Sequence, residues 1–286
     1  MSNISASQVK DLREKTGLGL MDCKKALEEA NGDLELAIEE LRKTSGLKAS
    51  KKSSRSAAEG LIGIKSSDGK SFMVEINCET DFVARDESFN LFMQEVLEIV
   101  SNNANKSLEE LLKLEIEEKR EKLVQKLGEN IVVRRATASE DDADSSGVYL
   151  HSNNKIGTII SLKGGTEEIA KDIAMHAAAT DPMAISPSDI PEEVIEKERE
   201  IYRAQSEESG KPADIIEKMI DGKIKKFLSE VSLTEQDFVK DPSLKISDIL
   251  KDNDAKIIGF TRFEVGEGIE VEKVDFASEV MSQIED

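Results

Sequence analysis

The chain has 286 residues, 38% hydrophobic and 34% charged, with no Trp and a formal net charge of −20. That length suits two ordinary domains or one body with small appendages, and a polyanion repels phosphate backbones and anionic lipid heads, which argues against direct nucleic acid or membrane partners. Two cysteines, Cys23 and Cys78, make no disulfide framework, no run nears the ~18 apolar residues of a membrane span, and the first five residues lack the basic and apolar regions of a signal peptide, so a cytoplasmic protein is expected.

Residues 1–46 read as a three-helix unit. Val9 and Leu12 give the first helix its apolar side, and Gly17 and Gly19 end it. A second short helix runs to Ala30, Asn31-Gly32 turns the chain, and Asp33 is an N-cap for a third. Leu34, Ala37, Ile38 and Leu41 then fall at i, i+3, i+4 and i+7, an amphipathic stripe. In 47–58, Lys48, Lys51, Lys52 and Arg55 sit among Ser and Ala. The readings are a nucleic-acid patch and a solvated linker, and with no aromatic residue interleaved for base stacking the linker is favoured.

Asp68-Gly69 signals a hairpin turn, and Phe72, Val74, Ile76 and Cys78 alternate as a strand should. Phe89, Phe92, Met93, Val96, Leu97 and Val100 repeat at helical spacing. Ser107 and Glu110 form a capping box for a helix that Gly128 stops near Leu127, and Ile131–Ala138 reads as a strand. A second hairpin follows, Gly147–Leu150 and Ile156–Lys163 around Ser152-Asn153-Asn154, and then a helix over Glu167–Ala179. Hairpin then helix, twice, predicts two related α+β subdomains. Two charged helices in 191–230 flank Ser209-Gly210-Lys211-Pro212 and should fold back as an antiparallel hairpin, with Val194, Ile195 and Ile201 facing Ile216, Ile220 and Phe227. Ile257–Val265 reads as a strand completing the second sheet, and 275–286 as a terminal helix with Phe276, Val280 and Ile284 at four-residue spacing.

No motif offers catalysis. His151 and His176 have no Cys, Asp or second His at metal-ligand spacing. Gly164-Gly165 and Gly210-Lys211 match no phosphate loop. The expectation is a protein that binds another protein, with no catalytic residue, no metal and no cofactor of its own. One segment stands apart. Phe82, within Thr80-Asp81-Phe82-Val83, lies in a polar connection where neither strand alternation nor helical spacing accounts for it. Either it folds back to staple the loop, or it is an aromatic wedge, with a carboxylate beside it, presented to a partner.

Leu12–Gly17 continuing to Met21–Leu27 resembles the N-terminal signature of bacterial elongation factor Ts, and Glu75–Arg85 resembles that family's second signature. Lys126–Asn130, Ile173–Ala178 and Gly259–Gly268 agree as well, in order along essentially the whole chain. The resemblance implies a guanine-nucleotide exchange factor in translation elongation. It would bind elongation factor Tu with GDP, dislocate Mg²⁺ and promote GDP release so that GTP can rebind. It also implies an α+β fold with a ubiquitin-associated-like (UBA-like) helical domain at 1–46 and a linker at 47–58. A core N-subdomain at 59–140 and a C-subdomain at 141–190 with 231–274 would each be an antiparallel sheet plus helices. A projecting coiled-coil hairpin at 191–230, a candidate homodimer contact, and a C-terminal helical module at 275–286 complete it. Carried over residue by residue, Thr80, Asp81, Phe82 and Val83 would form the Mg²⁺-dislocating loop. Arg13, Leu20, Met21 and Lys24 would lie on the N-terminal contact face, Leu127 and Gly128 in the core contact, and His151 would reach a different domain of the partner. Leu20 stands where the family pattern has Met, and the apolar role survives. His176 reads as a satisfied histidine packed on a helix face. The alternative is a UBA-type scaffold without exchange activity.

Overall fold

The computed structural model describes residues 4–67, 69–207 and 212–270. The expected residues Asp68 and Ser209–Lys211, and the terminal helix at 275–286, lie outside the described residues. Helices and small sheets are mixed along the chain, an α+β fold. Of the described residues, those up to Gly63, Val74–Ala136 and Glu264–Glu270 form one compact unit; those within Ile64–Met73 and Thr137–Phe263 form the other.

The first unit begins with α1 (Ala6–Thr16), α2 (Leu20–Glu29) and α3 (Leu34–Lys52). Gly17 ends α1 in the left-handed conformation (φ 70°), and the Asp33 carboxylate accepts the Leu36 amide at 3.1 Å to start α3. Leu12, Cys23, Leu27 and Ala37 are fully buried in a small core of their own. Helix α3 continues six residues into the stretch read as a linker. Its later turns are polar in sequence, yet Ser45 and Ala49 are buried, because this part of the helix packs on a helix further along the chain.

Next come β1 (Glu59–Ser67), β2 (Lys70–Cys78), the single turn α4 (Asp81–Ala84) and α5 (Glu87–Asn102). The apolar stripe of α5 is buried as its spacing requires, and a Cβ on Gly63 of β1 would meet Met93 Sδ at 2.6 Å. The helix expected from Ser107 is not one regular helix. After its capping box it runs as α6 (Leu108–Leu111), a π-turn at Leu112–Ile116 and α7 (Glu117–Leu127), which Gly128 ends at φ 81°. Strand β3 (Val132–Ala138) then joins the sheet in the order β1-β2-β3.

Glu75 on β2 is fully buried and ionically satisfied. Its carboxylate accepts from Arg134 at 3.1 Å, Arg135 at 2.5 Å, Asn77 at 3.0 Å and the Gly266 amide at 2.9 Å. Burial is the largest single influence and would raise this carboxyl, but those donors together outweigh it and hold it below the usual carboxylate range. Arg135 also reaches the Glu264 carbonyl and the Glu267 carboxylate, each at 3.0 Å, so the segment after the last strand is tied to β2 and β3.

The second unit repeats the plan. Strands β4 (Ser145–Leu150) and β5 (Ile156–Lys163) pair antiparallel, with Val148 opposite Ile159. Helix α8 (Glu167–Thr180) packs on both strands. Then follow α9 (Glu192–Glu207), α10 (Ala213–Val231), a two-stranded ribbon of β6 (Asp237–Phe238) and β7 (Asp241–Lys245), α11 (Ile246–Asp252) and β8 (Lys256–Glu264). The sheet order is β4-β5-β8. In each sheet a hairpin comes first, and a third strand returns beside the hairpin's second strand after a helical excursion.

Helices α9 and α10 pack antiparallel: Arg199 pairs with Asp221 at 2.8 Å and Arg203 with Glu217 at 3.2 Å. Ile220 and Ile224 are buried and Ile216 and Phe227 half-buried. Ile201 faces outward, contrary to the sequence expectation. The inner seam of α9 advances by four residues from Val194 through Glu198 and Tyr202 to the buried Ser206, which turns Ile201 away. No helix among the described residues is long and apolar enough to cross a membrane.

His176 on α8 is buried beside Phe238. Its Nδ1 accepts the Val239 amide at 3.3 Å, so Nε2 carries the proton and donates to Gln236 Oε1 at 3.0 Å. Burial pushes its pKa below the ordinary histidine value, against the opposing Gln236 bond. A depressed folded-state pKa gives stability that is present above the unfolded pKa of about 6.5 and is lost as pH falls through the folded value. Urea unfolding of the wild type is therefore expected to lose stability as pH falls below about 6.5, by no more than about 1.4 kcal/mol per pH unit, while His176→Gln lacks that slope. In the same unit, a Cβ on Gly147 would lie 2.1 Å from backbone atoms of Ala170 and Lys171. Gly147→Ala should lower the urea midpoint by the equivalent of about 3 kcal/mol.

Candidate partner-binding surface

The Thr80–Val83 turn is built from three stretches of sequence. Thr80 is extended (φ −127°, ψ 156°), and its hydroxyl accepts the Val83 amide at 3.4 Å, capping α4. The Glu129 carboxylate receives the Glu79 amide at 3.0 Å, the Thr80 amide at 2.9 Å and the Thr80 hydroxyl at 2.6 Å. In return the Glu79 carboxylate accepts the Asn130 amide at 2.6 Å. Buried Asn130 donates its side-chain amide to the carbonyls of Arg55 at 2.8 Å and Ser53 at 3.4 Å. Lys52 reaches the Gly128 carbonyl. The ends of α3, β2 and α7 thus meet at one corner.

On this frame Val83 and Ala84 point inward and are buried, whereas Phe82 is 80% exposed, the highest fraction among the exposed large apolar side chains of the described residues. The stapling alternative therefore fails: the aromatic ring is held in water. Asp81, beside it, is half-exposed and pairs with Arg85 at 2.8 Å. Asp86 starts α5 by accepting the Ser88 amide at 2.7 Å, and Lys126 donates to Ser88 Oγ at 2.5 Å. Burial would raise the Asp86 carboxyl, but the Ser88 bonds and the Lys126 charge prevail and lower it.

The other expected contact residues are all at the surface. Leu127 is half-buried and Gly128 exposed, immediately before Glu129, so the structure brings them to the Thr80 corner. Arg13 on α1 and Lys24 on α2 are exposed, and Leu20 and Met21, at the start of α2, are 53% and 72% exposed. A cleft of ≈ 240 Å³ between the α1–α2 turn and helices α5 and α7 is lined by Gly17, Leu18, Ser88, Leu91, Phe92 and Lys126 among others. His151, in the second unit, is exposed at the end of β4, with Nδ1 3.1 Å from the Tyr149 hydroxyl. Glu129, Glu79 and Asn130 hold the turn, yet carried no role in the sequence reading. The one signal was an acid and an amide directly after a helix-ending glycine, and their partner lies 49 to 51 residues away. Among the described residues no group of three His, Cys, Asp or Glu side chains could hold a metal ion.

The family described as Elongation factor TS matches residues 79–267. The chain is 54% identical over 286 residues to elongation factor Ts of Hahella chejuensis, covering 99% of each chain. It is 53% identical over 290 residues to that of Francisella tularensis subsp. novicida, again covering 99% of each. With that of Marinobacter nauticus it shares 54% identity over 282 residues, 98% of this chain and 97% of the relative. The chain belongs to the elongation factor Ts family. Membership makes it a translation elongation factor, and the exposed aromatic on its clamped corner falls within the matched span.

Glu129→Ala should release the corner. Three hydrogen bonds to a carboxylate are lost, and the expected destabilisation is about 2–3 kcal/mol, read by urea unfolding, with faster hydrogen exchange at the Thr80 and Val83 amides. Unchanged exchange at those amides would contradict the clamp.

Proposed function

We propose that this elongation factor Ts family member is a guanine-nucleotide exchange factor for elongation factor Tu: it binds the GDP form, dislocates Mg²⁺ and promotes GDP release so that GTP can rebind. The observation that carries the proposal is Phe82, a large apolar side chain 80% exposed on a turn whose backbone is fixed by Glu129. An exposed aromatic on a preorganised turn is what a protein anchor requires, because little ordering is left to do on binding.

Exchange of this kind needs no catalytic centre, cofactor or contact with the nucleotide. It needs the factor to bind nucleotide-free partner better than loaded partner, and the antagonism is then reciprocal. Moving the equilibrium from 1:99 to 99:1 takes roughly 5.5 kcal/mol of differential affinity. The partner holds GDP through phosphate contacts and Mg²⁺, strong because they are buried and oriented. Phe82, with Asp81 beside it and Thr80 and Val83 holding the turn, enters the partner's nucleotide-binding domain and displaces the elements that support Mg²⁺. The phosphates are left poorly neutralised, and GDP leaves.

Arg13, Leu20, Met21 and Lys24 supply a second contact from a UBA-like domain at 1–46, Leu127 and Gly128 extend the core contact, and His151 reaches another domain of the partner. In this reading 59–140, and 141–190 with 231–274, are the two core subdomains, joined to the first domain through 47–58. The 191–230 segment is a coiled-coil hairpin and candidate homodimer contact, and 275–286 is a C-terminal helical module. The site of action is the cytoplasm, with no direct nucleic acid or membrane partner.

Stopped-flow release of fluorescent GDP from elongation factor Tu tests this. Catalytic amounts of the chain should accelerate release, and Phe82→Ala should lower the acceleration about 100-fold, as for loss of a strong anchor, at unchanged melting temperature. A normal rate in Phe82→Ala would remove the wedge. No acceleration by the folded wild type would leave a binding scaffold.

A further inference from the structure

We infer that the second half of α3 is a rigid joint that presets the N-terminal contact face relative to Phe82, with Ser45, Gly46 and Gln125 as positioning residues. This rests on the exchange reading and adds to it residues that touch no partner.

The joint is built along α3 and α7. Arg42 pairs with Glu118 at 2.7 Å. One turn on, the buried Ser45 hydroxyl lies against the side-chain amide of buried Gln125. Beside it, a Cβ on Gly46 would sit 3.2 and 3.3 Å from the two carboxylate oxygens of Glu121. Buried Ala49 and the Lys52–Gly128 bond continue the contact to the corner that Glu129 clamps. In the other direction Lys48 returns to Asp22 of α2 at 3.2 Å, so the helix is tied to the N-terminal unit as well.

Two features separate positioning from mere stability. The apolar core of the three helices ends at Leu41 and uses no residue of the joint. And glycine costs about 1 kcal/mol in a helix interior relative to alanine, here at a site where a larger side chain would have to displace Glu121. That carboxyl is itself pushed up, chiefly by burial and then by Glu117, which fits close packing in the joint. Two contact faces on one rigid body engage a partner as a preorganised bivalent ligand, so the second contact forms at high effective concentration. A loosened joint leaves both faces intact and loses that advantage.

The test uses full-length chain with Gly46→Leu, and the double variant Gly46→Leu with Glu121→Ala, which restores room. Spin labels at Lys10→Cys and Ala104→Cys report the interlabel distance distribution, and GDP release from elongation factor Tu is measured against factor concentration. The wild type should give one narrow distribution. Gly46→Leu should broaden it and raise the half-saturating concentration about tenfold, with the maximal release rate and the circular dichroism unchanged. The double variant should recover both readouts. A broad distribution in the wild type, a Gly46→Leu half-saturation equal to wild type, or a loss confined to the maximal rate would each overturn the inference. A wild type that fails to accelerate GDP release would instead overturn the exchange reading, and this inference with it.

Discussion

The structure turns on a reciprocal exchange between two acids. Glu129 takes the amides of Glu79 and Thr80, and Glu79 takes the amide of Asn130. The backbone amides just beyond the end of β2 and just beyond the end of α7 are each met by a glutamate side chain from the other segment. Because the donors are backbone amides, the bonds fix the path of the chain rather than the position of a side chain. That is why Phe82 can stand in water without the turn collapsing around it.

The same corner organises its surroundings. Asn130 pins the chain that follows α3, and Lys52 pins α3 itself. On β2, four residues before Glu79, buried Glu75 gathers Arg134, Arg135 and the Gly266 amide. An isolated buried carboxylate would be costly, and one with a full set of donors is not. Strand β2 is therefore held at both ends of its last turn of sequence, by two acids doing different jobs. Glu75 accepts from two arginines at a buried position; Glu79 accepts the backbone amide of buried Asn130.

Much of this was legible in the sequence where the causes are local. The Asp33 cap, the Ser107–Glu110 box, the Phe89–Val100 stripe and both hairpins follow from propensity and period. Thr80–Val83 was legible as an anomaly, but its outcome was not. Whether Phe82 folds in or stands out is decided by Glu129, and nothing local encodes that contact. The end of α3 failed for the same reason: a Lys-, Ser- and Ala-rich segment looks like linker until packing on α7 makes it a helix, and tertiary contact outweighs propensity. Ile201 shows the limit of composition, since the inner seam of α9 carries Glu198 and Ser206 while an isoleucine faces water. The short β6–β7 ribbon and α11 leave too little sequence for a period to register.

The order of strands in the second sheet has a consequence for how the chain is made. Strand β5 ends at Lys163 and its neighbour β8 begins at Lys256, so about 90 residues must be synthesised between them. At roughly 5–20 residues per second, β5 emerges from the ribosome some 5–20 s before the strand that covers its open edge. Helix α8, next in the chain, shields one face of the nascent hairpin but not that edge. The intervening α9 and α10 can pair with each other as soon as both are made. The second sheet is thus closed last, by a strand near the end of the chain, and a ribosome that stalls before Lys256 releases an unfinished edge.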